Sequence, residues 1–418
     1  MSASEQNNLS EIIEEQLPGD IFHFIQHAGD TANSLQQRIY LVGGVVRDLL
    51  LERINLDIDL VVEGDAIKLA QAINSEGRAQ LVTHPRFGTA KLKWGHRSVD
   101  FATARAESYA HPGALPTIHP GTINDDLKRR DFAINAMAVE LNPRHFGELI
   151  DPFDGCGDLN RQHIRVLHEK SFVDDATRIW RALRYEQRLD FTIEPATRLL
   201  LKRDIVYLKT ISGDRIRHEL ELVLREEQPE KALCRAFELD VLTTLHPALK
   251  GDSWLIEAFK AARVRCLPDL PHPDFYLALL CYRLTANHLE QLIQYLRPAK
   301  TTTQVLQDTI AIKEKTKELK SRRLAPSEVY EILNGYHPVA YAVNAIAAGA
   351  SAADYIELYL NVLRNVKPAL TGEALKKLGV KQGPRIKEVL SKLRHARLDG
   401  KITTKKQEEE WVAKRHSS

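Results

Sequence analysis

The spacing of apolar residues changes period near residue 150, and this switch limits the fold more than any other feature of the chain. Before it, short β-branched runs recur at 39–42, 57–62, 89–92, 98–103 and 138–141, separated by turn residues and short helical stretches such as 66–73. From about Asp174 onward, helical spacing dominates, as in 176–188, 215–224, 276–282, 327–333 and 355–362. The reading is an α+β protein, a small mixed-sheet domain followed by a helical remainder. Weak boundaries fall at 226–229 and 267–273, where prolines punctuate the chain. With 418 residues, one compact core is too small a container, and two to four domains are expected.

Composition narrows the class. At 44% hydrophobic and 27% charged residues, the chain has the make-up of an ordinary folded protein. Its four cysteines lie far apart with no CxxC pair, which argues against a zinc site or disulfide framework and for a reducing cytoplasm. The first residues are polar and acidic, unlike a secretory signal. The run 339–353 is alanine-rich but too short to span a bilayer, so it predicts a buried helix.

Two elements near the start carry chemistry. Residues 39–50, IYLVGGVVRDLL, read as strand, diglycine turn and helix start. Gly43 and Gly44 admit a ligand close to the backbone, the helix N-terminus offers free N–H groups to phosphate, and Arg47 adds charge. Alone, such a turn is more often purely structural. Next comes Asn55-Leu-Asp-Ile-Asp-Leu-Val-Val, with Asp57 and Asp59 at i and i+2 of an otherwise apolar strand. Both carboxylates therefore project from one face, with Leu56, Ile58 and Leu60 on the other. Paired carboxylates repel unless a cation lies between them, and hard oxygen ligands favour magnesium or manganese. An edge strand made soluble by aspartates is the alternative. The glycine–arginine element just upstream decides for the metal. A two-metal site needs a further carboxylate, and Asp100, on the strand at 98–103, is chosen over Glu63 and Glu107, which fall at strand ends.

Taken with DLKRRDFAINAMA, DPFDGCGDL and FVDDATRIWRALRYEQRLDF, these elements resemble the class II tRNA nucleotidyltransferases, a family that includes bacterial poly(A) polymerases. Four ordered motifs cover roughly residues 38–225. The resemblance implies a head holding the metal site, followed by an all-α neck, body and tail. That places an N-terminal helical segment at 1–37, the head at 38–152, the neck at 153–226, the body at 227–345 and a basic tail at 346–418. It also implies that Gly44 and Arg47 contact the nucleotide triphosphate, that Asp57 and Asp59 bind two Mg2+ ions (with Mn2+ as a substitute), and that Arg130 serves the triphosphate.

In the same resemblance Asp131 and Asn135 hold the ribose. They would lie at i and i+4 of a helix start, where a carboxylate and an amide can both bond a 2′-hydroxyl. On chemistry alone the segment is equally an acidic helix start beside a solvated basic run. Asp175 and Arg178 match the family's base-reading EDxxR pattern, with Asp174 replacing glutamate. A carboxylate only accepts and a guanidinium only donates. Cytosine and adenine offer an amine beside a ring-nitrogen acceptor, whereas guanine and uracil present the reverse, so this pair accepts C and A. The bland alternative for DxxR is a surface ion pair. The family implies roles for Arg181 and Arg184 as well, although helical drift turns Arg184 well away from Arg178.

Residues 361–418 hold fifteen Lys/Arg against six Asp/Glu, an excess of nine in a chain whose net charge is +2. This asymmetry suits a phosphate backbone, and within it Lys381, Gly383, Arg385 and Lys387 match the family's tail segment, with Gly383 and Pro384 starting a helix. A merely solvated basic face is the competing reading. The expected activity is CCA addition to the tRNA 3′ end from CTP and ATP in the cytoplasm, with no membrane or protein partner implied. An A-adding enzyme or a poly(A) polymerase would carry the same motifs. Transfer to a small molecule fits the basic tail poorly, and a non-catalytic relic would not need Asp57 and Asp59.

Overall fold

The β-branched runs of the first half do pair into one mixed sheet. The computed structural model describes residues 8–321 and 323–416. It divides into two units, 1–219 and 220–418. The first unit opens with helices α1 (Ser10–Gln16) and α2 (Gly19–Ser34), followed by β1 (Arg38–Val42), α3 (Gly44–Leu50), β2 (Ile58–Glu63) and α4 (Ala66–Ile73). Then come β3 (Gln80–His84), β4 (Thr89–Trp94), β5 (Arg97–Thr103), β6 (Arg105–Ser108), β7 (Thr117–Pro120), α5 (Ile123–Lys128), β8 (Ala138–Glu140) and β9 (Leu149–Ile150). Helices α6 (Gly155–Arg161), α7 (Ser171–Asp174), α8 (Thr177–Leu189), α9 (Pro195–Asp204) and α10 (Gly213–Leu224) follow, the last running just past the division between units.

The seven-stranded sheet has the order β3-β4-β5-β2-β1-β8-β9, while β6 and β7 form a separate hairpin. Within it β2 and β5 run parallel, and the other pairs are antiparallel. Central β1 is buried at four of its five positions, as a strand covered on both faces must be. Tyr40, Val42 and Val61 share a cluster with Ile123 and Leu127 of α5. Strand β2 starts at Ile58, one residue later than the apolar pattern suggests. Asp57 belongs to the approach, where its N–H donates to Asn55 Oδ1 at 2.9 Å. Ile58 and Leu60 are buried as expected, whereas Leu56 is 39% exposed because it precedes the strand.

Among its described residues the second unit is helical throughout. The alanine-rich run forms not one helix but two, Pro338–Ala347 and Ala350–Asn361. Gly349, at φ +85°, makes the break, a conformation that an L side chain resists. Asn344, fully buried in the first of these helices, donates to the carbonyls of Thr309 and Ala340. The basic tail has its own small core around Leu375, Leu393 and Val412. Glu408 is buried beside it, accepting from the N–H groups of Ala369 and Leu370 and pairing with Arg397.

Candidate active site

Where β1 ends, the chain turns at Gly43 into α3. Gly43 has φ +76° and ψ −131°, backbone that glycine alone adopts without strain. A Cβ there would stand 2.6 Å from Arg130 Nη1. Gly43→Ala is therefore expected to cost about 2 kcal/mol of stability and to push Arg130 aside, which chemical denaturation would read.

Arg47, expected to offer charge to a triphosphate, is buried and already engaged. Its guanidinium makes two 2.8 Å bonds to Asp48 and one of 2.7 Å to Asn135 Oδ1. Asn55 also donates to Asp48, at 2.6 Å. Arg47 thus fixes Asn135 while its own charge is balanced locally.

The acidic residues converge, although only Asp59 and Asp100 lie on strands and Asp57 precedes its own. Asp59 stands opposite Asp100 in the β2–β5 register. Asp57, Asp59 and Asp100 each place an oxygen within 4.8 Å of the others. Although Asp59 reaches solvent, the protein mass around it, and next the Asp57 charge, push its pKa up to about 6, against the pull of Arg130. Three oxygen donors this close suit a hard divalent cation.

The segment 129–135 is not a helix start. Helix α5 ends at Lys128, and Ala133–Asn135 forms a single 3-10 turn. The turn still brings i and i+4 together, and Asn135 donates to Asp131 Oδ1 at 3.0 Å. Asp126, fully buried and not foreseen, holds both Arg129 (2.7 Å) and Arg130 (3.0 Å). Burial opposes ionisation of Asp131, but Arg181 at 2.6 Å and the Asn135 bond overcome it and hold its pKa at about 2. A folded-state pKa depressed in this way supplies stability above the ordinary value of 3.8, and that stability is lost as pH falls towards 2. Asp131→Asn is expected to cost about 2 kcal/mol at pH 6, a deficit that shrinks between pH 4 and pH 2. Denaturation midpoints across that range test it.

Asp175 also differs from its expected setting. It lies between α7 and α8, in extended conformation, one residue before the N-cap Ala176, and accepts from Thr177 N–H (3.0 Å) and Oγ1 (2.7 Å). Its other oxygen accepts from Arg215 of α10 at 2.8 Å. Arg178, on the first turn of α8, donates to Ser171 Oγ and to the Arg129 carbonyl, both at 2.7 Å.

These groups face one space. Gly43, Gly44, Arg47, Asp57, Asp59, Arg130, Asp131, Asn135, Asp175, Arg178 and Arg181 all line a cavity of about 700 Å3. Arg184 is not on its wall and is buried over the Tyr185 ring at 4.9 Å. Asp100 is not on its wall either, and joins the site through its closeness to Asp57 and Asp59. Glu107, Tyr109, Arg129, Tyr185, Arg215 and Glu219 also line the cavity and were not singled out from sequence as part of it. Arg215 and Glu219, four apart on α10, could have been found from the charge-dense DRIRHEL stretch. Lys381, Gly383, Arg385 and Lys387 belong to the second unit. There Gly383 precedes Pro384 at the first position of a helix, Pro384–Leu398, and Arg385 pairs with Glu388 at 2.9 Å.

A mixed sheet that sets three carboxylates beside an arginine-walled cavity defines the class, a nucleotidyl-transfer head. Residues 39–165 match the Poly A polymerase head domain, and residues 190–252 match the probable RNA and SrmB-binding site of polymerase A. The A-adding tRNA nucleotidyltransferase of Halalkalibacterium halodurans is 31% identical over 96% of this chain and 93% of its own. That of Geobacter sulfurreducens is 34% identical over 95% of this chain, which spans about half (47%) of that longer relative. A Thermotoga maritima CCA-adding enzyme complexed with tRNA superposes with a TM-score of 0.77 and 32% identity, over 97% of this chain and 98% of that one. The chain belongs to the tRNA nucleotidyltransferase family.

Proposed function

We propose that this protein adds cytidine and/or adenosine, without a nucleic-acid template, to the 3′ end of tRNA from CTP and ATP, releasing pyrophosphate. The observation that carries this reading is the convergence of Asp57, Asp59 and Asp100 at a cavity that also holds Asp175 and Arg178. The three carboxylates would hold Mg2+, two ions in the full site. Bound there, the metal would lower the pKa of the attacking 3′-hydroxyl and offset the charge of the departing pyrophosphate.

The remaining work falls to the chain's own groups. Gly43 and Gly44 leave room for the triphosphate, and Arg130, steadied by Asp126, faces its charge. Asp131 and Asn135 accept and donate at the ribose, with Arg47 and Arg181 fixing them in place. Asp175 and Arg178 read the base edge. Both are tethered by neighbours, and a protein template needs that fixed orientation. Arg184 supports this wall from behind Tyr185. In the tail (346–418), Lys381, Gly383, Arg385 and Lys387 would grip the tRNA backbone, and binding would weaken steeply with salt. Residues 38–152 serve as the head, 153–226 as the neck and 227–345 as the body, with the segment 1–37, of which 1–7 lie outside the described residues, as a support. No helix among the described residues is long and apolar enough to cross a membrane, and a cytoplasmic setting suits tRNA.

Addition of A alone is the second reading, favoured by one relative of matching length, the A-adding enzyme that is 31% identical. The test offers tRNAs ending before CCA, after C and after CC, each with CTP, ATP or both, and sizes the products to one nucleotide. Full CCA from the bare end supports the broader reading, and extension from the CC end alone supports the narrower. Long A tracts on unrelated RNA overturn both.

A further inference from the structure

Beside the triad lies a charge with no part in the proposed function. Lys91 stands on β4 opposite Asp100 in the β4–β5 register. Asp100 in turn stands opposite Asp59 on β2. Directly paired residues of neighbouring strands share a sheet face, so Lys91, Asp100 and Asp59 form one row across three strands. The Lys91 Nζ lies 2.8 Å from Asp100 Oδ2, and the two side chains are 35% and 38% exposed.

Asp100 therefore answers to two cations. It completes the only group of three carboxylates among the described residues that could hold a metal, and it is the partner of an ammonium. An ammonium offers only donors and cannot join a metal's ligand set. Its charge beside the third ligand repels a second cation, and this effect grows where water is partly excluded. A half-exposed lysine–aspartate pair contributes little to stability, so the sheet gains little from keeping Lys91 at this place. Its effect falls mainly on whatever else Asp100 binds.

We propose that Lys91 is a positioning residue that competes with the divalent metal for Asp100 and so sets how tightly the triad holds it. The inference rests on reading the triad as a metal centre. Under it, the third carboxylate is aimed by its neighbour on β4 and released when metal takes it. The ion is then held less tightly than three unopposed carboxylates would hold it.

The test is a Mn2+ titration of the full chain, without nucleotide or RNA, following the free ion by electron paramagnetic resonance. Asp57→Ala marks which binding belongs to the triad. Lys91→Met is expected to tighten Asp57-dependent binding about five- to tenfold, through removal of a like charge, and Lys91→Arg to restore the original affinity. In an Asp100→Asn background the same Lys91→Met change is expected to shift affinity by less than about twofold, because the coupling runs through Asp100. Unchanged or weaker binding by Lys91→Met overturns the proposal. So does an equal gain in the Asp100→Asn background, or the absence of Asp57-dependent binding in both wild type and Lys91→Met. Nucleotide incorporation by the same preparations separates the two ideas. A shifted titration without incorporation sinks the functional reading alone, and intact incorporation without the shift sinks the role of Lys91 alone.

Discussion

Asp57→Ala or Asp59→Ala is expected to reduce nucleotide incorporation by on the order of 10³-fold, or about 4 kcal/mol of transition-state stabilisation. The fold should survive, because both side chains reach solvent and repel each other. Removing Asp57 takes away one of the charges that hold the Asp59 pKa near 6, so Asp59 should then titrate closer to an ordinary carboxylate. Single-turnover incorporation, with circular dichroism to show retained structure, checks both parts. Activity within about tenfold of wild type in a folded variant would contradict the assignment, since removing even one preorganised transition-state contact costs more than that.

Asp175→Asn should have the second-largest effect, expressed in selectivity more than in rate. The substitution keeps the shape and can retain the bond from Thr177, but it replaces a pure acceptor with a group that also donates. It also gives up the charged contact with Arg215. Discrimination for CTP over UTP, measured as the ratio of kcat/KM values, should fall by on the order of 10²-fold, because sites built on complementary hydrogen bonds depend on each partner's donor or acceptor character. Arg178→Ala is a poorer probe. It would take a donor from the buried Ser171 Oγ and from the part-buried Arg129 carbonyl and cost stability as well as selectivity.

Features set by short-range pattern were legible in the sequence. The i, i+2 spacing of Asp57 and Asp59 pointed to two neighbouring acids, although Asp57 lies just before the strand, and the diglycine between β1 and α3 marked a real turn. Helix α4 occupies the stretch expected from apolar spacing. Asp100 was selected by elimination, but the fact that joins it to Asp59 is the parallel pairing of β2 with β5. That pairing is a property of the whole sheet, and no local run encodes it. Local conformation misled at two places. The segment through Asp131 has the charges of a helix start but forms a 3-10 turn. Asp175 sits before its helix because its carboxylate bonds the N–H and hydroxyl of Thr177 two residues on, a local bond that competes with helical backbone. In both cases the side chains still reached the cavity.

Other features were hidden because they depend on long-range partners. Arg215 meets Asp175 across forty residues of chain. Arg47 looked like a free charge, and only the packed structure shows it spent on Asp48 and Asn135. The split at Gly349 was readable in principle, since glycine inside a helical run signals a break. The apolar character of the run masked it.

Under the proposed function, one cavity lined by carboxylates and by the Asp175/Arg178 pair joins chosen nucleotides to an RNA end. The decisive experiment presents the wild-type protein, Mg2+ and a tRNA substrate with each of the four nucleoside triphosphates separately, sizing products after a single turnover. The expected result is addition of A or C with little or no G or U, and no addition at all when the metal is chelated. Comparable use of all four nucleotides, or addition that persists without divalent metal, would contradict it.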